Sequence, residues 1–345
     1  NRGQYDSPAD RVQPGTPREL LPFPDDMPKN RLGLAKWLFH ADHPLTARAA
    51  VNRYWQMIFG TGIVKTANDF GSQGALPTHP ELLDWLAVSF QEKGWNVKDL
   101  LKLMVMSATY QQSSRPSPEQ KEVDPDNIYL SSSPTYRWPA EIIRDNALAA
   151  SGLLVRKVGG PSVKPYQPPG LWIEKGNFSH DLLRYVQDTG EDLYRRSVYT
   201  FIKRTSPHPA MTVFDAPTRD ICTLTRESTN TPLQALVLLN DPQFVEAARV
   251  MAARIQKHFG PGIDEMAYGA FRLATGRIPT AEEMTVLKKI YHEQINIFED
   301  DSKATSDLLK VGEYPMDPSL PKASTAAWTM VCSSLLNHDE AYMKR

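Results

Sequence analysis

The side chains best suited to chemistry in this chain are arginines. Arg195, Arg196, Lys203, Arg204, Arg219 and Arg226 crowd one stretch, interleaved with Asp215, Asp220 and Glu227. A guanidinium fork grips a carboxylate or sulfate with two parallel N–H donors, so the pattern suits an anion-binding cleft. It suits equally well the clipping of irregular loops by salt bridges. Upstream, Glu141, Arg144 and Asp145 fall at i, i+3 and i+4 and share one helix face, as a solvated ion pair or as part of the same site. The candidate ligand-binding residues are Arg144, Asp145, Arg196, Arg204, Asp215 and Arg219, facing a ligand with carboxylate, sulfate or phosphate groups. Trp138, Trp172 and Tyr194 could stack on sugar rings or belong to the core. Asp145 or Asp215 could orient an arginine or act as a general base. Orientation fits better, because a carboxyl beside several arginines has its pKa lowered and is a poor base near neutrality.

No other motif carries a reaction, and the catalytic residues stay unassigned. The chain has no GxSxG, no Walker A and no GxGxxG. Asp69-Phe70-Gly71 reads like the kinase DFG, but the Gly-rich loop, the VAIK-type lysine and the HRD that phosphoryl transfer needs are missing. It is a turn that Gly71 and Gly74 permit. His40 and His43 are spaced as two metal ligands would be, without an HExxH; the expectation is no metal. His79 could serve as an acid or base, and a capping or packing role is the simpler reading. No CxxCH is present, so no cofactor is expected in this segment. Cys222 and Cys332 either form one bridge or remain two unpaired thiols.

Lys plus Arg number 39 and Asp plus Glu 40, for a net charge of −1. With no basic helix and no global field, nucleic acid is not an expected partner. The longest apolar stretch, around Leu233–Leu239, is far short of the ~20 residues that span a bilayer. An apolar share of 41% among 345 residues describes a folded chain of one large domain or two ordinary ones. The first residues hold neither a Met nor an apolar signal core, which reads as a piece of something longer.

The elements that must position these residues are mostly helices. Residues 1–29, rich in Pro and Asp, form an extended connector. Helical spacing begins at Arg31 and recurs from about Leu45 to Phe59, stopped by Gly60. Thr78 with Glu81 predicts a capping box before LLDWLAVSF, and Asn96 caps the next helix to Ala108. Pro139 and Gly152 bracket a helix carrying Glu141, Arg144 and Asp145. Residues 153–230 are Pro- and Gly-rich. Arg195–Thr205 is β-branched and aromatic enough for a strand, whose alternation puts Arg196 and Arg204 on one face and Arg195 and Lys203 on the other. Thr231 with Gln234 predicts a second capping box. Helices follow from Asp241-Pro242 to about Lys257, over 262–275, over 280–298 with Thr280 and Glu283 as its cap, and over 324–336. The fold class is mainly α: a helical domain with an irregular, Pro/Gly-rich middle segment containing a small β element. N-terminal helices occupy 30–152, the irregular middle 153–230 and C-terminal helices 231–345, and 30–345 reads as a single domain.

Several long phrases carry a resemblance. NRLGLAKWLFHADHPLTARAAVNRYWQMIFGTGIVKTANDFGSQGALPTHPELLDWLA, AEIIRDNALAASGLL, DTGEDLYRRSVYTFIKRT and FDAPTRDICTLTRESTNTPLQALVLLNDPQFVEAAR follow one another in order. In this the chain resembles the planctomycete secreted-domain family of unknown function, from about Asn30 to Tyr342. The resemblance implies an exported protein, periplasmic or extracellular, often with a cytochrome-c-type domain upstream, where any haem would sit. It implies no established activity. Two functions follow as expectations: handling of a complex or sulfated, anionic polysaccharide through the Arg-rich cleft, or a non-catalytic structural or docking module for the attached redox domain. Arginines lining a deep polar pocket favour the first; arginines each satisfied by a loop carbonyl or acid favour the second.

Overall fold

The computed structural model describes residues 4–17, 19–174 and 184–345. Residues 1–3 and 18 of the connector and 175–183 of the middle segment lie outside it. The sequence reading carries one domain from 30 to 345; the chain divides into two compact units, Asn1–Pro134 and Thr135–Arg345.

In the first unit, helix Thr46–Phe59 packs against Pro80–Glu92 and Val97–Val105. Val51, Trp55, Phe59, Leu83, Leu86, Phe90, Leu100 and Met104 close its core. Their spacing follows the helical period, so each helix buries one stripe and offers the other to water. Asn52 is fully buried in this core and is satisfied at both ends, donating to Val64 O and accepting from Val64 N. Asn96 caps the last of the three helices as its sequence predicts. The box at Thr78–Glu81 does not form: the helix starts at Pro80, and Thr78 Oγ1 turns to Ile63 O and His79 instead. His40 and His43 are local caps as well, His43 Nδ1 accepting from Leu45 N and Thr46 N.

In the second unit, helix Pro242–His258 is the centre. Ala247, Ala248, Met251, Ala252 and Ile255 are fully buried on it, and Trp328, Val331 and Cys332 on helix Lys322–Leu336 face the same core, while Ala326 and Ala327 pack with Phe298 and Leu309. Small residues on both helices let the axes approach closely, so the pair packs densely without long side chains. Helices Ala140–Ser151, Ile263–Thr275 and Ala281–Asp300 surround it. The Thr280–Glu283 capping box is present in both directions. Gly152 ends its helix in the left-handed region, as the sequence spacing requires.

The chain is mainly α. Its two-stranded sheet pairs Tyr136–Arg137 with Met343–Lys344 and lies outside the middle segment. The strand expected over Arg195–Thr205 is overturned. Ser197–Tyr199 forms a 3-10 turn, and pairing is confined to isolated bridges Val155–Arg195 and Val163–Thr200. The β-branched propensity of this stretch lost to arginine contacts that pull single residues inward. Arg195 is buried while Arg196 and Arg204 are exposed, as the alternation expects, but no strand ladder carries them.

The cap expected at Thr231 is also overturned. Thr231 makes no side-chain cap bond, and the Gln234 amide donates to Val213 O and to Thr229 O and Oγ1. Gln234 is a tether, not a cap partner. Thr231→Ala is expected to change stability by no more than a few tenths of a kcal/mol, whereas Gln234→Ala costs about 1 kcal/mol by taking the amide donor from the half-buried Val213 O, Thr229 O keeping its bond from Arg137. Urea melts of the two variants check the order.

Candidate functional site

The candidate residues gather in two groups around helix Ala140–Ser151. In the first, Arg144 projects from its buried face and is 4% exposed. Nε donates to Gln243 Oε1 at 2.6 Å, Nη1 to Arg195 O at 2.9 Å and Ser197 Oγ at 3.1 Å, and Nη2 to Leu193 O at 2.6 Å. One side chain thus fixes the path of 193–197. Burial pulls the guanidinium down to about 10, against the opposing charges of Asp145 and Asp241, so it stays cationic at neutral pH. Asp145 accepts from Ser197 N at 2.8 Å and Ser197 Oγ at 2.7 Å and lies 3.7 Å from Arg144 Nη1. Contrary to the expectation for an Asp among arginines, its carboxyl is raised, because burial outweighs the Ser197 hydrogen bonds and the charges of Arg144 and Arg196. Arg196 itself is exposed, and among the described residues no hydrogen bond or ion pair to it is found.

The second group lies at the start of the helix. Glu141 receives Arg226 through Nη1 at 2.6 Å and Nη2 at 3.2 Å, and Arg219 at 3.3 Å. Burial raises this carboxyl, but the two guanidinium groups outweigh it and hold it below its ordinary value. Asp215 takes Arg137 at 2.5 Å and the backbone and hydroxyl of Thr229. Burial raises its carboxyl too; the Thr229 hydrogen bonds and Arg137 outweigh that and leave it lowered. Arg204 stands apart, 3.8 Å from Asp220 with both side chains exposed.

Sequence reasoning placed Arg195 in the basic cluster but not in the site, and it passed over Arg137. Arg195 is 2% exposed, donates to Pro161 O, Gly159 O and Lys157 O, and lies 3.9 Å from the Tyr199 ring centroid. It draws the 157–161 loop down onto Tyr199. A second buried charge cluster had no sequence signal. Glu246 is fully buried and accepts from Tyr194 Oη at 2.9 Å and Tyr314 N at 2.7 Å. Arg249, one turn along, donates to Val311 O and Tyr314 O, and Tyr166 Oη accepts from Glu313 N. Burial and the Glu246 charge push the Tyr166 phenol up to about 12. Together these side chains stitch residues 311–314 to the core.

His208 is buried, and its Nε2 lies 2.7 Å from Tyr166 O. Burial, with a smaller push from Arg144, lowers its imidazole to about 4 from 6.5. Between those pH values the unfolded chain holds a proton that the folded chain does not, so stability falls as pH drops through the window, by about 3 kcal/mol in total. His208→Gln is expected to remove that part of the slope in urea melts recorded from pH 7 to 4.

A separate cleft of about 640 Å3 lies in the first unit between the connector and helix Arg31–Leu38, walled by Pro14, Pro22, Phe23 and Leu34. None of the six candidate residues lines it. Among the described residues no three His, Cys, Asp or Glu side chains gather where they could hold a metal ion, and no helix is long and apolar enough to cross a membrane. Cys222 is exposed and Cys332 buried, both as free thiols. Burial raises the Cys332 thiol far above its ordinary value.

Neither the curated proteins nor the solved structures give a match to the chain. A family model does: residues 30–291, which take in the clipped middle segment and reach into both compact units, match PSD1, described as a protein of unknown function (DUF1553), and the chain belongs to that family.

Proposed function

We propose that this domain is a non-catalytic docking module whose middle segment is a surface held rigid by arginines. The observation that carries the reading is the fate of the guanidinium groups. Arg137, Arg144, Arg195, Arg219 and Arg226 are taken up by loop carbonyls, Ser197, Gln243, Asp215 and Glu141. Donors spent on the backbone are not available to a ligand. The chain beyond these clips exposes apolar side chains: Ile221, Leu224, Leu233, Leu236 and Leu239 fall within one short run. The helix Pro232–Asn240 is apolar on both sides, and such a helix covers its outer face with a partner. In this reading the partner is the cytochrome-c-type domain that the resemblance implies, any haem belongs to that domain, and the pair works outside the cytoplasm.

A second reading, retention of an anionic polysaccharide, is favoured by the exposed Arg196 and the loosely paired Arg204. One pair of measurements separates them. The docking reading expects the chain to associate with the separately prepared cytochrome-c-type domain, with Leu236→Glu weakening Kd at least tenfold, and to pass a sulfated-polysaccharide column at physiological salt. No association, together with column retention lost in Arg196→Gln/Arg204→Gln, replaces docking with the polysaccharide reading.

A further inference from the structure

The cleft beside helix Arg31–Leu38 is used by neither reading, and contacts of its own hold it open. Trp37, 4% exposed, donates Nε1–H to Leu21 O at 3.0 Å and so pins the connector along the helix. Two short turns follow, with Met27 N bonded to Pro24 O at 3.1 Å and Asn30 N to Pro28 O at 2.7 Å. Gly33 lets this chain come close: a Cβ there would stand 1.9 Å from Pro28 O and 3.1 Å from the tip of the Phe23 ring. Five prolines between positions 14 and 28 fix φ along the connector, so binding has little further chain entropy to remove. The result is a cleft of about 640 Å3, a volume that holds a drug-sized molecule.

The lining selects the ligand. Pro22, Phe23 and Leu34 give it an apolar wall, and Leu34 at 45% exposed still has area to bury. Lys29 and Arg31 line the same cleft. Both are exposed, and among the described residues neither side chain has an ion pair or a hydrogen bond. Asp25 is the acid among these lining residues, and it too has no ion pair among the described residues. Two cations against one acid suit a ligand with a single negative charge. A neutral molecule would strip water from Lys29 and Arg31 and return nothing. A cation would meet like charge, and a dianion would set its second charge against Asp25. Because the cations are exposed, charge sets the selectivity here and apolar contact sets most of the affinity.

We infer that the cleft between the connector and helix Arg31–Leu38 is a binding site for a small organic monoanion, its carboxylate paired with Lys29 and Arg31 and its apolar or aromatic body laid against Phe23, Pro22 and Leu34. The site belongs to the first unit and needs no partner chain, so it stands or falls apart from the docking reading. The test is calorimetric titration of the full chain at pH 7 with phenylbutyrate, phenylbutanol and phenylbutylamine, which share one body and differ in charge. Amide NMR shifts at Gly15, Thr16 and Asn30, which line the cleft, place the binding. Phenylbutyrate is expected to saturate one site and move those three amides, with phenylbutanol weaker and phenylbutylamine weakest. Lys29→Gln/Arg31→Gln weakens phenylbutyrate about fivefold, to the level of phenylbutanol, whose own Kd holds. Leu34→Asn weakens both about fivefold. The single charge variants stand in if the double one fails to fold. No saturable phenylbutyrate binding in the parent, no shift at the three amides, an unchanged phenylbutyrate Kd in a folded charge variant, or an alcohol or amine that binds as tightly as the carboxylate overturns the inference.

Discussion

Arg144→Met is expected to lower the unfolding free energy by about 3–5 kcal/mol, the range for removing one partner from a buried, charged hydrogen-bond network. Met keeps the apolar stem of the side chain, so the loss comes from the head group. Arg195 O and Gln243 Oε1 lose their Arg144 donor in a buried place, and Leu193 O keeps only the longer bond from Gln243 Nε2. Asp145, whose carboxyl burial already raises, loses the guanidinium 3.7 Å away. Arg144→Lys is expected to recover little of it, because one ammonium cannot reach four acceptors set around a planar fork. Urea denaturation at pH 7 checks both variants: Met near the lower bound with full stability in Lys would mean that charge, and not the fork, holds 193–197.

Gly312→Ala is expected to destabilise by about 4 kcal/mol, from two sources acting together. Gly312 holds φ at +87°, where a side chain is strained whatever the space. A Cβ there would overlap the Glu246 carboxyl, which is fully buried and cannot swing into water. Moving Glu246 breaks its bonds from Tyr194 and Tyr314 N and leaves the charge unpaired. The alanine variant should therefore melt well below the parent and expose 311–314 to proteases. Gly276→Ala, at φ +80° with open space around the added Cβ, is the control and should cost only the conformational part.

The contrast between Gln234 and Thr280 shows what the sequence made legible. Both sit in a [ST]-x-x-[EQ] pattern, and the pattern fixed the helix start in each case. At Thr280 the Glu283 carboxylate has acceptor capacity for both the Thr280 N–H and the Arg277 guanidinium, and the box forms. At Thr231 the carbonyls of Val213 and Thr229 come from an irregular segment that needs donors, and they win Gln234. Local pattern reads local partners; it has no access to a carbonyl twenty residues away. The same limit explains Arg195–Thr205. Its composition favours a strand, but Arg195 finds its acceptors at 157–161, and Ser197–Tyr199 closes into a 3-10 turn in place of a ladder. The helices, by contrast, were readable because their apolar stripes recur every three to four residues regardless of what covers them. Of the candidate residues, the density of arginine was visible from composition alone. Which of them face carbonyls and which face water was not, and neither was His208, a lone imidazole between two prolines whose role comes from the Tyr166 carbonyl. Glu246 gave no signal either, since an acid in mid-helix usually lies on a solvated face.

The arginines around helix Ala140–Ser151 hold the middle segment in place. Amide hydrogen exchange in Arg144→Met against the parent, under conditions where both are folded, tests it most directly. Protection is expected to collapse at Val155, Val163 and Phe201, whose N–H groups bond to or across the segment that Arg144 fixes, while helix Lys322–Leu336 keeps its protection. Unchanged protection at those three amides would contradict it, because the segment would then hold its path without the arginine.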